Sequence, residues 1–347
     1  MRPKNKVTIQ AVADAVGLSK YAVSRSLAGK SGVSEETRRR IADAAKSLGY
    51  AKAITRPNAA RDIAVVFYDQ DPVNSELNIQ MQAGIQQEAE RIGVGVRIRW
   101  THSEEIVGEL ADTFAGLILV GPHSPAAVAG ASLKGVPIVR LGFTTPLEQV
   151  DSVCGTDHES GQAIGKFLTS LGHRSIAFVF GRPIYRGRHD RYCGIREVVE
   201  QTDGAELTLM QFEEESGFAD ALQQVKSTGV SPTAFFCGHD GLALTVVSEL
   251  LGQGYKIPED ISVVGFGDFS AATQISPPLT TVKQEGREMG IAALQLLLSR
   301  IARPRTNDEP ARMVRVISRL IERRSVAPFE TGIKTEFSAP DGMLRLP

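Results

Sequence analysis

Short, almost wholly apolar runs recur along the chain: IAVVFY (63–68), VGVRIRW (94–100), GLILVG (116–121), PIVRLG (137–142), SIAFVFG (175–181), AELTLMQF (205–212), TAFFCGH (233–239) and ISVVGF (261–266). A run of this length with no polar alternation has no face to show to water. It reads as a β-strand covered on both sides, the pattern of a parallel sheet with helices above and below. The intervening segments supply those helices: LNIQMQAGIQQEAERIG (77–93), ESGQAIGKFLTSLG (159–172) and DGLALTVVSELLGQG (240–254). Eight strands of this kind are too many for one sheet of ordinary size. The expected body is α/β, with two doubly wound parallel-sheet lobes meeting near Gly155–Glu159.

The first 61 residues are of a different kind. They hold 13 Lys or Arg against four acids, a charge of +9, while the remaining 286 residues hold 26 against 36, a charge of −10. A basic head on an acidic body points to a polyanionic partner for the head. Three short helices are legible there. Thr8 is placed to N-cap the first, with Ile9, Val12, Ala13 and Val16 as its apolar stripe and Gly17 as a left-handed stop. Ser19 caps the second, with Val23 and Leu27 facing inward. Ser34 caps the third, with Glu35 and Glu36 where the helix dipole favours anions. Its buried stripe is Ile41, Ala44, Ala45 and Leu48. Two helices joined through Gly17 form a helix-turn-helix, whose second helix enters the major groove by its N-terminal end. Lys20, Tyr21 and Arg25 then reach base edges, and Arg25 can bond a guanine through two parallel N–H groups. Thr8, Ser19 and Ser24 suit phosphates. For any one of these residues a solvated helix face is the competing reading. The set, with its charge, favours DNA.

TIQAVADAVGLSKYAVSRSLAGKSGVSEETRRRIADAAKSLGY resembles the DNA-binding head of the LacI/GalR family of bacterial repressors. The matching pieces are T-I-x-x-V-A, A-V-G-L-S, V-S-R, V-S-E-E-T-R and L-G-Y. Further matches run through the body: LGHRSIAFVFG (171–181), DRYCGI (190–195), SPTAFFCGHDGLAL (231–244), IPEDISVVGFGD (257–268) and SPPLTTVKQ (276–284). The resemblance implies base reading by Lys20, Tyr21 and Arg25, and phosphate contacts near Thr8, Ser19, Ser24, Ser34 and Thr37. Ala28 departs from it, standing where the family often has an Asn. It also implies a body folded like periplasmic sugar-binding proteins, a small-molecule effector between the lobes, and a homodimer on a pseudo-palindromic operator. The expected organisation is residues 1–50 as head, 51–62 as hinge, 63–328 as the two-lobed body and 329–347 as a tail. The first lobe would take about 63–157 and 285–315, and the second about 158–284 and 316–328. The family's hinge helix inserts a Leu into the minor groove. Here the hinge, AKAITRPNAARD, is shorter and has no such Leu. Asn58 can cap a turn through Ala59, Ala60 and Arg61, with the wedge missing or replaced by Ile54.

The resemblance further implies an effector held by Asn74, Ser75, Arg191, Phe212, His239 and Asp268. Core packing competes for Phe212, and a loop hydrogen bond for His239. Gly267 stands where the family commonly has an Asp that takes sugar hydroxyls, and Gly142 occupies a second such position. With Arg191, His239 and Arg188 nearby, an anionic or bulkier effector is expected rather than a plain monosaccharide. Effector-driven release and effector-driven tightening of DNA binding both remain open.

Enzymes are disfavoured by motif: there is no GxxxxGK[ST], no GxGxxG opening a helix and no HExxH. No cofactor or metal is expected, since Cys154, Cys193 and Cys237 show no CxxC or Cys/His spacing. The N-terminal MRPKNKVTIQ lacks a secretory pattern, and no run approaches the ~18 apolar residues of a membrane span. A cytoplasmic chain with no membrane role is expected, and a transport-type solute-binding protein is the alternative. The tail FETGIKTEFSAPDGMLRLP has no heptads. Replacing Arg25 by Ala is expected to cost roughly 1–3 kcal/mol at one base position and little elsewhere. Competition against base-substituted duplexes reads this directly. An equal loss at every sequence would assign Arg25 to phosphate instead.

Overall fold

In the computed structural model of the chain, residues 9–20, 23, 37, 40, 41, 44, 62–70, 75–181, 186–212, 217–306 and 308–329 are described. Contacts divide the chain into two units, Met1–Asp62 and Ile63–Pro347.

In the first unit, helix α1 (Ile9–Val16) ends at Gly17, whose φ is +67°. The Leu18 N–H reaches back to the Ala13 carbonyl at 3.1 Å, closing a six-to-one turn that satisfies an orphan helix carbonyl. An L-residue with a Cβ is disfavoured in that conformation, so glycine sets where the helix stops. Arg40 caps a second orphan, donating to the Val16 carbonyl at 3.5 Å. Ser19 starts the next helical turn, its carbonyl accepting from Val23 N–H. Val12, Ala13, Val23 and Ile41 form a small buried core, with Val16 and Leu18 against it.

The second unit holds two six-stranded sheets of matching order. The first comprises β1 (Ile63–Phe67), β2 (Val96–Trp100), β3 (Leu117–Val120), β4 (Ile138–Leu141) and β5 (Asp151–Cys154), with β11 (Met313–Arg315) beside β5. Its order is β11-β5-β4-β3-β1-β2, all parallel. The second comprises β6 (Ser175–Val179), β7 (Glu206–Met210), β8 (Ala234–Cys237), β9 (Ser262–Gly267) and β10 (Thr280–Lys283). Its last strand, β12 (Arg319–Ile321), pairs antiparallel to β10, giving the order β12-β10-β9-β8-β6-β7. The apolar runs explain the layering. In β1, Ile63, Val65 and Phe67 enter one core while Ala64 and Val66 enter the core on the opposite face. In β6, Ile176 and Phe178 face one way and Ala177 and Val179 the other. Period-two alternation between two apolar layers requires both faces to be covered.

The helices provide that cover. In the first lobe they are α2 (Ser75–Ile92), α3 (Glu104–Thr113), α4 (Pro125–Ser132) and the returning α10 (Gly286–Ala302). In the second they are α5 (Asp157–Ser170), α6 (Arg186–Glu200), α7 (Gly217–Ser227), α8 (Asp240–Gly252) and the short α9 (Ser270–Gln274). The chain therefore crosses between lobes three times: after β5, after β10 and after β11. Helices α5 and α6 pack unusually closely. A Cβ on Gly161 would overlap the Arg191 carbonyl, and one on Gly194 would overlap the His158 carbonyl. The helix N-termini and strand carboxyl ends of both lobes thus meet at the crossings, where open α/β sheets place their ligand crevices.

Two buried histidines tie loops to these sheets. His123 donates from Nε2 to the Val66 carbonyl at 3.0 Å, and His173 bonds the Ala327 carbonyl at 3.2 Å and Thr233 Oγ1 at 2.9 Å. Burial lowers both pKa values to about 4. In the unfolded chain each histidine titrates near 6.5, so below that pH the unfolded state binds more protons and stability falls until about pH 4. His173→Gln, which keeps a donor, should flatten this dependence. Urea midpoints at pH 7.5 and 4.5 test it; an unchanged difference between the two pH values would remove His173 from the account.

Candidate functional site

A cavity of about 160 Å³ lies where the carboxyl ends of the two sheets meet. The first lobe lines it with Leu77, Asn78 and Met81 of α2, the ends of β3 and β4 through Thr144, and Met313 and Arg315 of β11. The second lines it with the start of α5, the first turns of α6, His239, Phe266, Phe269 and Gln284.

Arg191 is the centre of the second-lobe wall. It is 8% exposed, and its Nε donates to Asp157 Oδ1 at 2.8 Å. One terminal nitrogen donates to the Gly238 carbonyl, and the guanidinium lies 3.4 Å over the Phe266 ring. Burial pulls its pKa down and the Asp157 charge opposes that. An arginine so paired stays cationic at neutral pH. The close α5–α6 packing at Gly161 makes the pair possible, because it sets the first turn of α5, with Asp157, beside the second turn of α6.

His239 N-caps α8, its Nδ1 accepting the Leu242 N–H at 3.2 Å. Burial first, then the charges of Arg188 and Arg191, lower its pKa to about 3. The ring is neutral at pH 7, and the capping bond assigns its proton to Nε2, leaving it a hydrogen-bond donor. The next residue, Asp240, is fully buried. Its carboxylate accepts from Thr281 O–H at 2.6 Å and Phe269 N–H at 2.7 Å, while burial raises its pKa to about 6. It occupies the space over Gly265, where no Cβ would fit.

Asp240 fixes the β9–α9 loop, which reaches across to touch the other lobe. Phe269 joins the first-lobe core beside Leu77 and Met81. Ser270 donates its N–H and O–H to the two carboxylate oxygens of Glu76 on α2, at 2.9 and 2.7 Å. Gly267 has φ +129°, and a Cβ there would lie 2.6 Å from the Phe269 ring. The Cys154 thiol also lines the cavity, with its pKa pushed up to about 11 by burial.

Of the residues the sequence nominated for an effector, Arg191 and His239 line the cavity, as do Gly142 and Arg188. Phe212 instead packs edge-on against Phe218, centroids 5.9 Å apart, beside the second-lobe core. Asp268, at φ 56°, turns its carboxylate to Arg323 at 2.6 Å. Ser75 opens α2 and does not line the cavity. Asn74, the hinge residues Asn58, Ala59, Ala60 and Arg61, and tail residues 330–347 lie outside the described residues, as do Thr8, Tyr21, Ser24, Arg25 and Ser34. In the head, Ser19 and Lys20 are exposed and Thr37 is half-buried. Sequence reasoning missed Asp157, Phe269 and the Glu76–Ser270 bridge. Asp157 stands two residues ahead of the helix expected at 159–172, and the structure starts that helix at Asp157. Among the described residues, no three His, Cys, Asp or Glu side chains could hold a metal, and no helix is long and apolar enough to cross a membrane.

Two sheets of one order around a cavity define a two-lobed body of the periplasmic-binding type, preceded in the chain by a separate unit that carries helix α1. Two family models match accordingly: the bacterial regulatory proteins of the lacI family over residues 8–52, and a periplasmic binding protein-like domain over 166–326. The head region thus resembles the lacI family of bacterial regulators, and the region 166–326 resembles a periplasmic binding protein-like domain. It is 31% identical over 222 residues to an HTH-type transcriptional repressor PurR from Yersinia enterocolitica, a match covering 61% of this chain and 63% of that protein. The match therefore spans less than two thirds of the relative's length. A transcriptional regulator CelR–cellobiose complex aligns over 92% of this chain and 99% of that one, with 26% identity and a TM-score of 0.66. The lac repressor dimer bound to operator shares the fold at 22% identity and TM-score 0.66, covering 93% and 100% of the two chains.

Arg191→Met leaves Asp157 without its partner and should destabilise the body by roughly 3 kcal/mol, the scale for a broken buried pair. Asp157→Asn, which leaves the buried guanidinium without its counter-charge, should cost a comparable amount. Denaturant titration of both variants and of the double variant checks the coupling; losses that simply add would refute the pairing.

Proposed function

We propose that the chain is a sequence-specific DNA-binding transcriptional repressor, acting as a homodimer on a pseudo-palindromic operator. Its affinity responds to a small molecule held in the cleft. One observation carries this reading: a lacI-family head match at residues 8–52 precedes a body with a cavity between two like lobes. The head would occupy 1–50 and the hinge 51–62, with a turn at Asn58–Arg61. Lys20, Tyr21 and Arg25 would read bases, and Thr8, Ser19, Ser24, Ser34 and Thr37 would position the backbone. Exposed Ser19 and Lys20 agree with that placement. An operator partner puts the protein in the cytoplasm, and its role is binding rather than catalysis, in keeping with the repressor names of its relatives.

Effector and operator are coupled through the lobes. A ligand preferring one lobe arrangement changes DNA affinity by its differential binding, typically ~1–3 kcal/mol, in either direction. The ligands named for similar structures are cellobiose and, for a regulator from Enterococcus faecium, ribose, which supports an effector of the sugar or sugar-derivative class. Four Arg against three carboxylates among the described lining residues favour its anionic members. A transport-type solute-binding protein would share the body but has no use for a basic, helix-turn-helix head.

Selection of bound duplexes from a random pool by the full chain tests the reading. The expected product is an inverted repeat, bound with affinity that falls steeply with salt, with a log–log slope of about −0.9 per phosphate neutralised. No enriched motif, with salt-insensitive binding, would contradict it.

A further inference from the structure

The cleft has two unlike walls. On one side Leu77, Met81, Phe143 and the incoming Phe269 present carbon, with Asn78 and Thr144 as the polar groups among them. On the other stand Arg188, Arg191 and the donor Nε2–H of His239. Phe269 is held in place on three counts. Asp240 binds its N–H, Glu76 binds the following Ser270, and its ring sits in the first-lobe core at 8% exposure. Its ring also fills the space a side chain at 267 would need. It is therefore a fixed part of the wall.

A polyol with hydroxyls on every side would bury some of them against this carbon, unpaired, and lose affinity for each. A ring with an apolar face loses nothing there and gains stacking. The opposite wall selects for acceptors. Asp157, Glu159 and Asp190 already face Arg191, Arg315 and Arg186, so the carboxylates have cationic partners within the cavity lining, Arg315 reaching Glu159 from the first lobe. The neutral His239 adds a donor in the positive field of Arg188 and Arg191.

We propose that the cleft takes a small cyclic carboxylate, its apolar ring face on Phe269 and its carboxylate beside His239 and Arg191, with Phe269 the residue that sets this specificity. The proposal rests on the cleft being the effector site of the regulator described above. The shared chemistry is a ring bearing an acid, whether a hexuronic acid or an aromatic acid.

Isothermal titration of the full-length protein with glucuronate, benzoate, gluconate, ribose and cellobiose tests it, on wild type, Phe269→Ala and Phe269→Leu. Thermal melts confirm that each variant is folded. One glucuronate or benzoate should bind per chain, at least tenfold more tightly than gluconate, ribose or cellobiose. Phe269→Ala should weaken that binding at least tenfold, and Phe269→Leu less, since it keeps an apolar surface. Preference for benzoate assigns an aromatic acid and preference for glucuronate a sugar acid. Tighter binding of a neutral or open-chain compound, no saturable binding of either ring acid, or indifference to Phe269→Ala overturns the proposal. Neutral-sugar binding that Arg191→Lys abolishes would overturn the ligand class while leaving the cleft as effector site. Loss of the cleft reading would appear instead as binding indifferent to Arg191→Lys, and loss of the DNA reading as failure of the duplex selection.

Discussion

The buried guanidinium of Arg191 is the interaction on which the cleft depends. One side chain joins three elements of the second lobe: Asp157 at the start of α5, the Gly238 carbonyl at the end of β8, and the Phe266 ring on β9. A cation taken out of water needs this degree of compensation, and each group that supplies it is thereby fixed. Removing the charge would release the α5 start, the β8–α8 turn and the Phe266 face from one another. These are the surfaces that line the cavity.

A second tie runs between lobes rather than within one. Asp240, next to His239, holds the Phe269 N–H, and the loop beyond delivers Phe269 and Ser270 to α2. The two lobes are therefore bridged by an aromatic ring in an apolar core and by a carboxylate accepting two hydrogen bonds. Both contacts would have to rearrange if the lobes moved. The three chain crossings link the lobes covalently, and non-covalent contacts of this kind bias which lobe arrangement dominates.

The layered body was legible because β1, β3, β6, β8 and β9 are apolar on both faces, and a sheet buried on one side would alternate. The strands DSVC, TTVK, MVR and RLI were not nominated. They are three or four residues long and polar enough to read as loop, and they become strands through the ladder of the neighbour they join. Gly17 was legible as a helix stop because its left-handed backbone is a local property. Arg191 and His239 were nominated through the family resemblance, and both line the cavity. Asp268 was nominated but is turned by a positive φ towards Arg323, some 55 residues away in sequence. Phe269 and Glu76 were not nominated because their meeting depends on how two lobes close, which no local pattern encodes.

The central claim is that Arg191 organises the second-lobe wall as one unit. Hydrogen exchange of the full chain, compared between wild type and Arg191→Met, tests it most directly. The account predicts faster exchange at the start of α5, in the β8–α8 turn and around Phe266, with the first-lobe strands β1 and β3 unchanged. Protection that is unaltered at all three places, or lost evenly across both lobes, would contradict it.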